Sequence, residues 1–185
     1  MHPQLRPPQD NDAAWLLEAL NHVRTNEALV DFPHPYPTSL LPQFFLDDVE
    51  PWLQFVWLSP LSSSPTCSGI SSKLLSEGDD CRIGYIWFSV NPDNTNAELS
   101  FLLHPHYQGQ GLGLAQLPQI FGYLAPHMQA NFKITNITAH VRPASVAAQK
   151  ILQACGFIVV ETAEYPTPSI GGTAWLQKWQ FDMGV

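Results

Sequence analysis

The chain is poor in charge: 13% of its 185 residues are charged, with 8 Lys and Arg against 16 Asp and Glu. The resulting net charge of -8 argues against a nucleic-acid surface, which needs clustered cations to neutralise phosphates. It suits cationic partners such as amines. Cysteine is scarce too. Cys67, Cys81 and Cys155 are odd in number and scattered. That pattern points to a reducing cytoplasm rather than a disulfide framework, with a Cys67–Cys81 bridge across a loop as the alternative. No run of about 18 apolar residues exists, so no membrane span is expected. The opening "MHPQLRPPQDNDAAW" lacks an apolar h-region, so no secretory leader is expected. Nucleotide fingerprints are also missing. A G-x-G-x-x-G run from Gly109 and Gly111 would need a third glycine where Leu114 stands, and no Gly-Lys-Ser/Thr follows.

What is present is a globular composition, 45% hydrophobic with 17 prolines. The length predicts one domain over residues 1–185 with a real core. Ala13, Leu16, Leu17, Leu20 and Val23 follow a helical period behind Asp12 as cap. Thr38 or Ser39 caps a second predicted helix ending before Pro51. Strands are predicted at "LQFVWLSP", "CRIGYIWFSV", "NAELSFLLHP", "FKITNITAHV", "FIVVET" and "TAWLQKWQFD". Residues 59–80 read as an irregular Ser/Pro/Gly-rich loop. A helix with Leu114, Leu117, Ile120, Phe121, Leu124 and Met128 on one face follows the glycines, with Pro118 near the end of its first turn. "SVAAQKILQACGF" reads as a helix capped by Ser145, with Ala147, Ile151 and Ala154 inward and Gly156 at its C-terminal cap. The strand before the glycines and the strand after their helix are joined by a crossover and should be parallel; the rest should be antiparallel. The class is α/β (α+β), a mixed, mostly antiparallel sheet flanked by helices.

"HPHYQGQGLGLAQL" sits at the strand-to-helix junction. A strand ends, glycines bare the backbone, and a helix begins, so unpaired N–H groups face one space with the helix dipole behind them. That is an anion cradle, and with no Lys or Arg nearby in sequence it relies on backbone dipoles. A glycine-rich turn without a ligand is the simpler reading of the spacing alone.

"HYQGQGLG" resembles the Q/R-x-x-G-x-G/A motif of the GNAT superfamily of N-acetyltransferases, here as Gln108, Gly111 and Gly113. "VRPASVAAQKILQACGF" resembles that superfamily's strand-to-helix segment ending in Gly-Phe. "DFPHPYPTSLLPQFFL" and "RIGYIWF…AELSFLLHPHYQGQGLG" are similar to the RimJ/RimL-like branch, which includes ribosomal-protein N-terminal acetyltransferases. The resemblance spans about residues 10–182. It implies a GNAT-like sheet of about six or seven strands with about four helices, and a parallel pair splayed into a V between the strand ending at His104 and the one beginning near Phe132. It implies acetyl-CoA as co-substrate and no metal. Pyrophosphate would lie on Gly109, Gln110, Gly111, Leu112, Gly113 and Leu114, beside Gln108. Pantetheine would lie along Leu102, Leu103 and His104, with Ser145, Gln149 and Lys150 contributing from the last helix.

Alternation along "AELSFLLH" puts Glu98, Ser100, Leu102 and His104 on one face, and Ala97, Leu99, Phe101 and Leu103 on the other. Many superfamily members resemble this with an acid at the position of Glu98, which makes Glu98 the candidate general base. By resemblance the oxyanion donor is the backbone N–H of Leu103 or His104, and a bulge usual in this strand would swap the faces beyond it. His104 and His106 form an H-x-H pair without an acid at ligand spacing. Cys155 reads as a core thiol. The chain departs from the family where Ala148 replaces a serine and Leu152 a tyrosine, which leaves the acid for the departing thiolate unassigned, with Tyr165 as a distant substitute.

The expected activity is acetyl transfer to a primary amine, a protein N-terminus or a small amine; a non-catalytic acyl-CoA sensor is the alternative. The segments "FPHPYPTSL" and "EYPTPSIGGT" are expected beside the acceptor. Expected partners are acetyl-CoA and the amine, with no nucleic acid or membrane, in a cytoplasmic monomer or homodimer. Trp52, Trp57 and Trp175 are candidates for an exposed contact surface.

Overall fold

A computed structural model describes residues 4–44, 52–59, 81–93 and 95–184. Cys67 and residues 60–80 of the loop expected over 59–80 lie outside them, as does the end of the helix expected before Pro51. Strands β1 (Gln4–Arg6), β2 (Trp52–Ser59), β3 (Cys81–Val90), β4 (Asn96–Leu103), β5 (Asn136–Val141), β6 (Ile158–Pro166) and β7 (Thr173–Asp182) make one sheet in the order β1-β2-β3-β4-β5-β7-β6. Among the described residues, only the β4–β5 pair is parallel. Helices α1 (Ala13–Asn21), α2 (Val23–Ala28), α3 (Leu112–Phe132) and α4 (Val146–Ala154) complete the GNAT-like fold.

The sheet separates two apolar clusters. On one face Phe88, Leu99 and Ile137 pack under Leu117, Phe121 and Leu124 of α3 and Ile151 and Leu152 of α4. On the other, Tyr85, Trp87 and Leu102 pack under Leu16, Ala19 and Leu20 of α1. A two-sided core is what a sheet interior to helices requires. No helix among the described residues is long and apolar enough to cross a membrane.

Several boundaries differ from the sequence reading. Extended backbone at His22 (ψ 133) breaks the first helix in two, and Val23 is 59% exposed at the start of α2. Asp12 makes no side-chain cap. Its buried carboxylate instead accepts two bonds from Arg6, at 2.7 and 2.8 Å, and lies 2.8 Å from Arg82 Nε. Residues Thr38–Phe44 form a 3-10 helix rather than an α-helix. α3 starts at Leu112, so Pro118 falls in the second turn, Pro126 lies farther along, and Leu114 points outward. It runs on to Phe132, which shortens the next strand to Asn136–Val141. In α4 Leu152 turns inward with Ile151, whereas Ala147 and Ala154 are exposed. Trp57 is fully buried, its indole donating to Gln116 Oε1 at 2.9 Å, so it is no surface contact; Trp175 is exposed.

Candidate active site

The β3–β4 register runs unbroken from Gly84↔Leu103 to Val90↔Ala97. The bulge expected in β4 is absent there, and the alternation of faces holds to His104. The bonds Asn91 N–H to Asn96 O and His104 N–H to Ile83 O, both 2.9 Å, fix the phase of the ladder. In such a ladder alternate residues turn their backbone groups to the same neighbour. Even-numbered residues of β4 therefore face β3, and Leu99, Phe101 and Leu103 face β5.

On the β5 side, pairing stops after Asn96↔Asn136, Ala97↔Ile137 and Glu98↔Thr138. β4 continues for five more residues, Leu99 to Leu103, a stretch of about 16 Å at about 3.3 Å per residue. The strands thus splay into a gap edged by the backbone of Leu99, Phe101 and Leu103. Leu103 N–H faces this gap. His104 N–H does not, because Ile83 holds it, and that removes His104 from the two expected oxyanion donors.

The gap opens into a cavity of about 890 Å³. Of the expected site residues, Glu98, Leu102, Leu103, Gln108, Gly109, Gly111, Leu112, Gly113, Leu114, Ser145 and Lys150 line it. His104, Gln110 and Gln149 do not. The Gln110 side chain donates to His106 O at 2.6 Å and that of Gln149 to Pro143 O at 2.7 Å. Ser145 precedes α4 but makes no side-chain cap; its carbonyl accepts from Gln149 N at 3.1 Å.

At the wide end, Gly111 caps α3 with φ 76, and Gly109 has φ 75. A side chain is strained in that left-handed region. A Cβ at either position would meet nothing within 4 Å, so the space over the loop is open. The first intrahelical bond runs from Ala115 N to Gly111 O at 3.0 Å. The N–H groups of Leu112, Gly113 and Leu114 therefore have no intrahelical partner, which is the donor set an anion needs. Gly113 serves packing instead: a Cβ there would sit 2.7 Å from Ile151 Cδ1 and 3.2 Å from Leu103 Cδ1.

Gln108 holds the loop in place. Its amide donates to Leu103 O at 2.9 Å and to Thr25 Oγ1 at 3.1 Å. That second bond brings α2 to the cavity, which Arg24 lines together with Lys150. The cations that local sequence lacks are thus supplied by the fold. Donor groups, two cations in the lining and a gap edged by strand backbone that β5 leaves unpaired suit a long phosphorylated chain such as coenzyme A.

At the narrow end, His140 of β5 stands on the same face as Glu98, with its Nδ1 2.8 Å from Glu98 Oε1. The ring of Tyr165 meets the imidazole edge-on, centroids 4.7 Å apart. The Tyr165 hydroxyl donates to Glu161 at 2.8 Å, and its pKa is raised by burial and then by that glutamate. It is therefore poorly placed as the missing acid. Asp31 accepts from the backbone N–H and hydroxyl of Ser169, at 2.7 and 3.1 Å. The residue just before the segment "FPHPYPTSL" is thereby tied to the segment "EYPTPSIGGT", both of which are expected beside the acceptor. His140, Arg24, Thr25 and Asp31 escaped the sequence reading. Only His140 left a local trace, the alternation Thr138, His140 in "ITAHV".

Behind the cavity wall, His104 is 5% exposed and lies against Trp15 and His106. Its Nδ1 is 3.1 Å from His106 Nδ1, and its Nε2 is 3.8 Å from Glu18, so the fold supplies the acid that spacing lacked around the H-x-H pair. Cys155 is a free, buried thiol whose pKa burial pushes up to about 12.

Residues 4–158 match the family described as "Acetyltransferase (GNAT) domain". The spermidine N-acetyltransferase from Vibrio cholerae, solved with CoA and spermine, is 16% identical over 98% of this chain and 96% of its own, with a TM-score of 0.68. The aminoglycoside acetyltransferase AAC(6')-Ib, solved with ribostamycin and coenzyme A, is 17% identical over 98% of this chain and 94% of its own, also with a TM-score of 0.68. At such identity the likeness is one of fold. Among curated proteins, none matches the chain.

Proposed function

Because the chain belongs to the GNAT acetyltransferase family, whose co-substrate is acetyl-CoA, we propose that it acetylates a primary amine by direct attack on the thioester. The observation that carries this reading is the unzipping of β4 from β5 beyond Glu98↔Thr138, under the open N-terminus of α3. Leu112, Gly113 and Leu114 N–H groups receive the pyrophosphate, aided by Arg24 and Lys150. Pantetheine pairs with the free edge of β4 as an added strand; Leu103 N–H holds that arm near the wide end, and Phe101 N–H, closer to the fork, takes over the oxyanion role expected of Leu103 as negative charge develops on the carbonyl oxygen. The amine enters from the side walled by Phe32, Asp31 and Tyr165 and loses its proton toward Glu98 and His140.

The acceptor is a protein N-terminus, as in the RimJ/RimL-like branch, or a small amine. The two solved relatives hold spermine and an aminoglycoside, both amines. A second reading, a non-catalytic acyl-CoA sensor, draws on the buried Leu152 and on the commitment of the Tyr165 hydroxyl to Glu161. A thiol-release assay over a panel of amines and peptide N-termini, with calorimetric titration of coenzyme A, tests both. Binding with turnover supports the enzyme and binding without turnover the sensor; no binding sinks both.

A further inference from the structure

We propose that the proton acceptor for the attacking amine is Nε2 of His140, and that Glu98 acts through it as a positioning residue. This rests on the acetyltransferase reading above. His140 lies two residues beyond the last paired position of β5, Thr138, at the fork where the gap narrows. A thioester threaded from the α3 end brings its reactive carbon toward that fork.

The contact between His140 Nδ1 and Glu98 Oε1, 2.8 Å, sets the direction of the ring. An ionised carboxylate only accepts hydrogen bonds, so Nδ1 must carry the hydrogen. In a neutral imidazole Nε2 is then a bare acceptor. The edge-on Tyr165 ring limits rotation of the imidazole. The His140 side chain is 20% exposed and that of Glu98 46%, so the imidazole is the more enclosed of the two.

The step balances without another group. The amine nitrogen forms the C–N bond as its proton passes to Nε2. The C–S bond breaks, its electron pair leaves on sulfur, and the imidazolium returns the proton to that sulfur. One side chain thus serves as base and then acid, which accounts for a site with leucine at 152 and alanine at 148.

Long-range 1H–15N spectra of the free protein at neutral pH read the tautomer directly. A neutral ring protonated on Nδ1, lost in Glu98→Ala, is expected; a proton on Nε2, or an imidazolium, overturns the proposal. In turnover assays His140→Gly should lower kcat by about 100-fold or more, leave the KM for acetyl-CoA within about threefold, and recover in part with added imidazole. A kcat within about threefold of wild type, or a loss that imidazole does not relieve, also overturns it. Failure of the wild type to bind coenzyme A would instead sink the transferase reading, and the tautomer would still be measured.

Discussion

Acidification from pH 7 to pH 4 should cost the fold about 3 kcal/mol through His104 alone. Burial is the main cause of its depressed pKa, about 4 against an ordinary 6.5. Glu18 on α1 opposes the depression, while His106 and His22 add to it. The side chain is 5% exposed, and its Nε2 has no hydrogen-bond partner. The sign follows from proton binding. Between pH 6.5 and about 4 the unfolded chain holds the proton and the folded chain does not, so stability falls as pH falls. The full shift of about 2.5 pH units at about 1.4 kcal/mol each is about 3.5 kcal/mol, of which about 3 kcal/mol is lost by pH 4, where the folded chain's own site is half protonated. Full stabilisation is present above 6.5 and gone below about 4. Acidification acts on other groups as well, so the informative quantity is a difference. His104→Phe keeps a ring against Trp15 and removes the titrating group. Urea unfolding of both proteins at several pH values should give a wild-type curve that falls away from the variant's by about 3 kcal/mol between pH 7 and pH 4. Parallel curves would refute the argument, because they would mean that His104 takes up its proton without cost.

The remaining predictions concern the loop and the buried ion cluster. Gly111→Val places a β-branched side chain at φ 76 over the cradle, so calorimetry should show coenzyme A affinity falling by about tenfold or more while the protein stays folded at a cost of about 1–2 kcal/mol; unchanged affinity would refute the cradle. Gly113→Ala should lower stability by about 1–3 kcal/mol, because its Cβ would lie 2.7 Å from Ile151 Cδ1. Adding Ile151→Val removes that methyl, so the double variant should lose less than the two single losses summed; additive losses in thermal unfolding would refute the contact. Asp12→Ala leaves Arg6 and Arg82 facing a buried vacancy and should cost about 3–5 kcal/mol by urea unfolding. A loss under about 1 kcal/mol would mean that the guanidiniums find water as readily as the carboxylate.

Local chemistry made much of this fold legible. The strand alternation of "CRIGYIWFSV" and "NAELSFLL", the crossover rule for a parallel pair, and the glycines between strand and helix all act within a few residues. The errors arose where tertiary demands overruled local preference. Asp12 looks like a cap, yet two arginines brought in by β1 and β3 claim its carboxylate. Pro118 looks like an early-turn residue, yet Gly111 starts the helix sooner by adopting a left-handed backbone. Leu152 looks outward on a face defined by Ala147, Ile151 and Ala154, yet the sheet beneath takes Ile151 and Leu152.

The site divides along the same line, and the division bears on its chemistry. The anion cradle is one stretch of backbone, so its motif is local and readable. The narrow end is a pairing of two strands 42 residues apart in sequence, as the Glu98–His140 contact measures. No spacing rule encodes such a contact. What encodes it is the register of β5 against β4, Glu98 beside Thr138, because period-two alternation then puts His140 on the Glu98 face. A one-residue slip in β5 would turn the imidazole to the opposite face and leave the carboxylate facing the cavity alone. The bonds from Thr135 N to Thr95 O (2.9 Å), from Asn136 Nδ2 to Asn96 Oδ1 (3.1 Å) and from Met183 N to Thr135 O (3.0 Å) pin the start of β5 to both neighbours and oppose that slip. Catalysis by this dyad would therefore depend on backbone and side-chain bonds at the far end of the strand that never approach the substrate.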